Sequence, residues 1–388
     1  MTGANPMIGV VYHWLGGLAA GSFYAPYRYV RKWAWETYWL AGGFFAWIAA
    51  PWVFAWIMTP DLTGILKQSP PKTLFWTYLF GVLWGIGGLF YGLTMRYLGI
   101  SLGCAVALGF CAAFGTLMPP IFRGVFVSEV LGTTSGIIIL IGIGVCLLGI
   151  AIAGGAGMAK EREMTQEQKQ DTIQEFDFWK GLMVAIFAGV MSACFSYGLA
   201  AGDPIKAIAV SHGAGALWQG LPALVVVLLG GFTTNFLWCV SLNIRNRTGH
   251  EYFSGVERGR VPFRSEETII ETAIDAPSEE VIEEAPKPPD FGLRVPLLAN
   301  YFFCALAGVT WYFQFFFYSM GETQMGRFKF SSWTLHMASI IIFSTLWGVA
   351  LSEWRGTSRR ARTLLGLGLL TLILSTIVVG YGNYLGAK

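Results

Sequence analysis

The sequence predicts an all-α polytopic membrane protein with ten transmembrane helices, arranged as two inverted five-helix repeats. Three observations predict this class. First, 54% of the 388 residues are hydrophobic and only 13% are charged, whereas a soluble domain carries about 25% charged residues. Second, 28 of the 49 charged side chains fall in two stretches, 156–180 and 244–294, and the rest of the chain is dominated by long apolar blocks. Third, 49 glycines permit the close backbone contacts on which helix packing in lipid depends.

Ten segments are long and apolar enough to cross a bilayer, which takes about 20 residues of helix. In chain order they cover residues 8–27, 37–58, 74–95, 98–118, 134–155, 179–201, 214–243, 295–319, 331–351 and 363–385. Only helices or closed barrels satisfy their backbone groups in lipid, and these segments are too long and too uniformly apolar for barrel strands.

The basic residues predict which side of the membrane each connection occupies. The connections that follow odd-numbered segments hold 19 of the 26 Lys and Arg residues, and the other 7 lie on the side that carries both termini. Without the long connection at 244–294 the distribution is still 12 against 7. Because basic loops stay in the cytoplasm, both termini are predicted to lie outside.

A charged stretch divides the segments into five and five. Residues 1–155 are predicted to form the first repeat, residues 156–178 a cytoplasmic linker, and residues 179–388 the second repeat. Since each repeat has an odd number of segments, the second must enter the membrane from the opposite side. Inverted repeats of this kind are typical of transporters.

The connection at 244–294 is the least membrane-like part of the chain. Its central part, 266–290, contains nine acidic residues and four prolines. This composition predicts an acidic, Pro-containing and disordered cytoplasmic loop. The alternative is a regulatory segment that docks a partner.

Polar side chains inside membrane segments mark the candidate site, because burying them in lipid is costly. In segment eight, Trp311, Gln314, Phe315 and Tyr318 share one helical face. Gln314 has two donors and two acceptor lone pairs, which suit vicinal hydroxyls. Trp311 offers an apolar ring face that suits the C–H face of a sugar. The alternative is that the aromatic side chains face lipid or form an interfacial belt.

Two histidines lie deep in membrane segments and can titrate near neutral pH. His13 in segment one shares a face with Gly17 and Tyr24, a plausible cavity wall. His336 in segment nine shares a face with Trp333. Ordinary packing roles are the alternative for both histidines.

Carboxylates are absent from the middle of every predicted segment. Glu36 and Glu322 lie at segment ends, and Asp203 follows segment six. A proton-coupled transporter needs a titratable group, so His13, His336 and Glu36 are the predicted candidates for proton coupling. The alternative for the end carboxylates is that they are solvated anchors.

Several function classes are excluded by missing motifs. The six cysteines occur singly, which argues against metal binding and disulfides. No phosphate-binding glycine loop, HExxH or GxSxG motif is found, so neither ATP-driven transport nor an enzyme is predicted. We therefore expect no cofactor and no metal. The net charge of +3 gives no sign of nucleic-acid binding.

Several stretches resemble the L-rhamnose–proton symporter family of the drug/metabolite transporter superfamily. They are FYAPYRYVRKWAWET (23–37), LFGVLWGIGG (79–88), YGLTMRYLGISLG (91–103), GTLMPPI (115–121), WYFQFFFY (311–318), SWTLHM (332–337) and EW (353–354). The resemblance implies ten helices in two inverted halves, a bacterial inner membrane with periplasmic termini, and uptake of a 6-deoxyhexose with a proton. Positions shared with the family pattern are His13, Tyr24, Glu36, Tyr91, Arg96, Trp311, Gln314, Tyr318, Trp333, His336 and Glu353.

Residues and resemblance together predict a secondary active importer of L-rhamnose or a related 6-deoxyhexose, coupled to a proton. The predicted sugar-binding residues are Trp311, Gln314, Tyr318, Trp333, Tyr24 and Tyr91. One alternative is an exporter or exchanger of another small metabolite. Another is a membrane sensor or scaffold that acts through 244–294.

Overall fold

The computed structural model describes residues 4–98, 100–163, 178–255, 295–352 and 354–387, and the regular structure in these ranges is helical throughout. The α-helices are α1 (Pro6–Ser22), α2 (Tyr24–Tyr27), α3 (Trp35–Phe44), α4 (Ala50–Met58), α5 (Leu62–Gln68), α6 (Pro71–Leu98), α7 (Ile100–Phe122), α8 (Thr134–Arg162), α9 (Phe178–Ala201), α10 (Asp203–Ser211), α11 (Leu221–Arg245), α12 (Leu297–Thr323), α13 (Ser332–Ala350) and α14 (Arg359–Ala387). Short π-helical turns cover Phe45–Ala49 and Phe126–Leu131, and short 3-10 turns cover Gly249–Tyr252 and Gly326–Ser331.

Within the described ranges, nine helical stretches are long and apolar enough to cross a membrane. They are Trp35–Met58, Pro71–Thr94, Ser101–Phe122, Thr134–Arg162, Phe178–Ser211, Leu221–Arg245, Leu297–Thr323, Gly326–Ala350 and Arg359–Ala387. The prediction of an all-α polytopic membrane protein is therefore confirmed. The first predicted segment, 8–27, is covered by α1, which has 17 residues, and by α2.

The second predicted segment is one continuous span with a widened turn in its middle. α3 and α4 are joined by the π-helical turn Phe45–Ala49. Pro51, just after this turn, has no N–H to donate to the carbonyl of Trp47 four residues earlier, and its ring crowds that carbonyl. A π-turn is a common way to absorb such a defect, and it is frequent at functional sites.

α1 and α9 each pack against a pair of consecutive membrane helices. α1 packs against α12 and α13, whereas α9 packs against α6 and α7. α3 contacts α11 and α12, and α6 contacts α11. α8 and α14 pack against each other more extensively than any other helix pair in the described ranges.

The two ends of the bundle are identified by the residues that contact each other there. At the end where α1 begins, the backbone N–H of Asn5 donates to Oε1 of Gln324 at 3.1 Å, and Gly386 lies against the ring of Phe328. We call this the termini end. At the opposite end, the side-chain amide of Asn300 bonds both the N–H and the carbonyl of Arg31. We call this the loop end.

Some predicted features fall on residues outside the described ranges. These are 164–177 of the predicted linker, 256–294 of the predicted acidic loop, Glu353 and the side chain of Arg96. The first residues of the 244–294 connection are described, and they complete α11 and form the turn Gly249–Tyr252.

Candidate functional site

A cluster of aromatic and imidazole rings lies where α1, α12 and α13 meet. The ring centroid of Tyr318 is 5.3 Å from that of His13 and 5.2 Å from that of His336. The indole of Trp333 lies 5.8 Å from Tyr318 and 6.1 Å from His336. All four side chains are buried, and Gln314 on the same helix as Tyr318 is 5% exposed. The structure therefore brings together five of the predicted site residues.

Helical spacing and one glycine explain why these side chains converge. On α12, Gln314 and Tyr318 are one turn apart, as are Trp333 and His336 on α13. α1 approaches both helices closely because Gly16 has no side chain. A Cβ there would lie 2.8 Å from the carbonyl oxygen of Gln314 and 3.6 Å from Nδ1 of His336.

The histidines are polar groups surrounded by aromatic rings. None of the four ring nitrogens of His13 and His336 has a hydrogen-bond partner among the described residues. Burying such groups without partners costs about 1–3 kcal/mol each, and unpartnered groups of this kind in a native protein call for a functional explanation. The donor of Trp333 is already used, because its Nε1 donates to the carbonyl of Cys111 at 3.0 Å. Its ring face and edge are therefore what it offers to a ligand.

A narrow recess lies beside Trp311, nearer the loop end. The ring of Trp311 packs edge-on against Trp47 of the π-turn, with centroids 5.4 Å apart. The recess is lined by Phe23, Tyr27, Trp39, Gly43, Ala46, Trp47, Gly308 and Trp311. Its cavity of about 10 Å³ has room for one water molecule, so a sugar requires the rings to move apart.

Stacked rings separate the recess from the histidine cluster. Phe315 stacks on Phe195 of α9 at 3.9 Å, and Phe195 in turn lies 5.9 Å from Trp333. Trp84 of α6 lies 5.8 Å from Trp311 and 4.9 Å from Phe195. Together with the contact of Phe315 with His336 at 5.6 Å, these rings form a continuous series of contacts from the recess to the histidine cluster.

The remaining predicted site residues lie outside the cluster. Tyr24 is 56% exposed and stacks on Trp39 beside the recess, with centroids 6.4 Å apart. Tyr91 packs in a separate cluster with Leu98 and Ala107. Gly17, which the sequence placed on a cavity wall, instead lies against Ser339 of α13.

Glu36 is buried at the loop end. Its Oε1 accepts hydrogen bonds from Nδ2 of Asn246 at 3.0 Å and Oγ1 of Thr248 at 2.8 Å. Near it, Nδ2 of Asn243 donates to the Tyr252 hydroxyl at 3.0 Å. Burial raises the pKa of Tyr252, which therefore stays a neutral phenol. This cluster ties the start of α3 to the end of α11.

Ion pairs join several elements at the termini end. Asp203 of α10 contacts Nη2 of Arg123 at 2.6 Å, Nζ of Lys329 at 2.8 Å and Nζ of Lys206 at 3.2 Å. Nζ of Lys206 also donates to Oε2 of Glu322 at 2.7 Å. The side chains of Lys206 and Glu322 are 10% and 13% exposed. Glu322 is therefore a buried, paired group rather than a solvated anchor.

Sequence reasoning missed the residues that other helices contribute to the site, namely Trp39, Trp47, Trp84 and Phe195. A signal for two of them was present in the sequence. Trp35, Trp39, Gly43 and Trp47 follow one another at intervals of four, which places them on one helical face.

Comparison with known proteins identifies the family of this chain. The sequence model of the family described as "L-rhamnose-proton symport protein (RhaT)" matches residues 2–252 and 282–384. The "L-rhamnose-proton symporter" of Yersinia pestis (strain Pestoides F) is 34% identical over 378 residues, covering 97% of this chain and 98% of that protein. The protein of the same name from Mannheimia succiniciproducens is 34% identical over 381 residues, covering 98% and 99%. The chain therefore belongs to the L-rhamnose–proton symport protein family.

Proposed function

We propose that this protein is a secondary active importer of L-rhamnose or a related 6-deoxyhexose, driven by the uptake of a proton. The observation that carries the proposal is the convergence of Gln314, Tyr318, Trp333, His13 and His336 at the junction of three helices. The relatives are named as symporters of rhamnose and protons. A symporter is a transporter and not an enzyme.

We propose that ten membrane helices form two inverted repeats of five. α1, continued by α2, is the first membrane helix, and α3 with α4 is the second. The packing supports a pseudo-twofold exchange of the halves: α1 lies on α12 and α13 as α9 lies on α6 and α7, and α8 and α14 pair with each other. Transporters commonly bind substrate where two such repeats meet.

For the sugar we propose a site between the recess and the histidine cluster. Aromatic rings cover the apolar face and methyl group of a deoxyhexose, and the Gln314 amide bonds its hydroxyls. Trp311, Tyr318 and Trp333 supply the rings. Tyr24, beside the recess, contacts the sugar as it leaves at the loop end. The assignment of Tyr91 depends on the family resemblance alone.

For the proton we propose His13 and His336 as the groups that couple its binding to that of the sugar. Their unpartnered ring nitrogens can bond the hydroxyls of a sugar, and the unprotonated nitrogen of each ring can bind a proton. If both ligands favour the same conformation, each raises the affinity for the other by an equal factor. Glu36 remains a candidate for proton release at the loop end.

We further propose that the termini end faces the periplasm and the loop end the cytoplasm of a bacterial inner membrane. The excess of Lys and Arg in the connections of the loop end supports this orientation.

Reconstituted protein tests the function directly. Purified protein in liposomes should take up labelled L-rhamnose when the external pH is lowered, and a protonophore should abolish the accumulation. L-mannose, which differs from L-rhamnose by a hydroxyl at carbon six, is the matched control and should be taken up more slowly. Accumulation that ignores both the pH gradient and the protonophore contradicts proton coupling.

A further inference from the structure

The binding face of α12 continues beyond the residues that the sequence singled out. Gln314, Tyr318 and Glu322 follow one another at intervals of four, so they lie on one side of the helix. Glu322 is thus one turn beyond Tyr318, toward the termini end. The sugar site and the ion pairs at that end share a single helix face.

Glu322 is held by a buried cation that it shares with a second carboxylate. Nζ of Lys206 lies 2.7 Å from Oε2 of Glu322 and 3.2 Å from Oδ1 of Asp203. The ammonium group of Lys206 thus bridges the two carboxylates. Asp203 is anchored separately by Arg123 and Lys329, so Lys206 keeps one partner when Glu322 is neutral.

The residue before Glu322 in the chain, Gly321, lies against one of the unpartnered histidines. A Cβ at Gly321 would lie 2.8 Å from Nε2 of His13. The imidazole therefore rests on the α12 backbone beside Glu322. Neither of its ring nitrogens has a partner among the described residues, so it has a free position for a proton.

Glu36, the carboxylate favoured from the sequence, has a different setting. Its partners Asn246 and Thr248 are neutral donors at the loop end. Asn300 of α12 lies at that end, because it bonds Arg31. At 1.5 Å of helix per residue, Asn300 and Glu322 are about 33 Å apart along α12. Glu36 is therefore at the wrong end of the bundle to accept a proton that arrives with the sugar from the termini end.

We propose that Glu322 is the carboxylate through which the coupling proton enters from the termini end, with Lys206 as its positioning residue. This inference rests on the proposed function. Glu322 takes a proton from water and releases Lys206 to Asp203. The protonated carboxyl then passes the proton to a ring nitrogen of His13, and the regenerated carboxylate pairs with Lys206 again. Groups facing this path are Lys206 and Asp203 of α10, Tyr318 of α12 and His13 of α1, with Arg123 and Lys329 on Asp203.

Glu322→Gln tests the proposal, because it keeps the shape and removes the proton-binding group. In liposomes, two quantities are measured: proton uptake driven by added L-rhamnose, and exchange of labelled for unlabelled L-rhamnose without a pH gradient. We expect sugar-driven proton uptake to fall about tenfold or more while exchange continues. Glu322→Asp, which restores a carboxylate, should recover proton uptake in part.

Asp61→Asn is the matched control, since it removes a carboxylate at the same end of the bundle that lies 3.3 Å from Nδ1 of His212 and has no part in the proposed path. It should retain sugar-driven proton uptake. Wild-type proton uptake in Glu322→Gln overturns the proposal. Equal loss of proton uptake and L-rhamnose exchange in folded protein also overturns it, because Glu322 would then have a structural role. Failure of the wild-type protein to exchange L-rhamnose or take up protons with it refutes the proposed function instead.

A second variant decides the matter if Glu322→Gln does not fold. Lys206→Gln removes the cation that contacts Oε2 of Glu322. The pH at which sugar-driven proton uptake is half-maximal should then rise by about one unit or more. An unchanged pH profile in this variant overturns the proposal.

Discussion

Trp333 shows how a buried side chain is fixed in place while part of it remains available to a ligand. Its Nε1 donates to the carbonyl of Cys111, and its ring lies between Phe195 and His336. Because the indole N–H is already bonded, polar recognition in the proposed site falls to Gln314 and the histidines. Trp333 therefore offers ring contacts to the sugar, whereas Gln314 and the histidines offer hydrogen-bonding groups.

At the residue scale, the role of Gln314 is open to a direct test. Gln314→Leu keeps the approximate volume and removes the amide. Loss of two hydrogen bonds to a sugar should weaken L-rhamnose binding by about 2 kcal/mol, roughly 30-fold, when measured by isothermal titration in detergent. Ser319→Ala on the same helix is the control, because this hydroxyl has no partner among the described residues and lies against Gly220. Equal affinity of Gln314→Leu and wild type removes Gln314 from the site.

At the element scale, α12 carries most of the proposed chemistry on one face. That face follows from spacing within a single helix, so the sequence predicted it as far as Tyr318. The rings of Trp47, Trp84 and Phe195 reach the site from other helices, and their arrival depends on tertiary packing that local spacing does not encode. Glu36 and Glu322 look alike in sequence, as carboxylates at segment ends. The ion pair between Glu322 and Lys206 of α10 distinguishes them.

The contact of α1 with α13 depends on a glycine, which gives a prediction for stability. A Cβ at Gly17 would collide with the backbone and side chain of Ser339. Gly17→Ala should therefore destabilise the protein by about 1–3 kcal/mol through overpacking, seen as a lower midpoint of thermal unfolding in detergent. Gly144→Ala in α8 is the control, since nothing lies within 4 Å of its new Cβ. That change should be neutral or stabilising because alanine favours helix more than glycine does. A Gly17→Ala midpoint equal to that of Gly144→Ala would contradict the close contact.

At the scale of the whole molecule, the two ends of the bundle are closed to different degrees. Ion pairs that centre on Asp203 join α10, the α12–α13 connection and the residue that follows α7 at the termini end. The recess beside Trp311 lies nearer the loop end, where Phe23 and Tyr27 form part of its wall. Ion pairs therefore hold the termini end together. If that end faces the periplasm, as proposed above, outward access requires the Asp203 ion pairs to separate, which links the charge state of that end to the direction of access.

The connection between α11 and α12 allows a test of whether transport needs the acidic loop. Residues 253–281 lie between the two ranges that match the family model. The described ends of the connection meet, since the N–H of Val295 donates to the carbonyl of Gly255 at 2.8 Å.

Deleting residues 256–281 leaves 282–294 to close a gap that is already short. Shortening a loop changes its closure free energy by only about 0.6 kcal/mol per halving. We expect the initial rate of L-rhamnose uptake to stay within about twofold of wild type, because the deleted residues lie outside the ranges that match the family model and loops tolerate deletions. A folded deletion protein that binds L-rhamnose but no longer transports it would instead assign the loop a regulatory role. Loss of a cellular response while transport persists would support the sensor alternative.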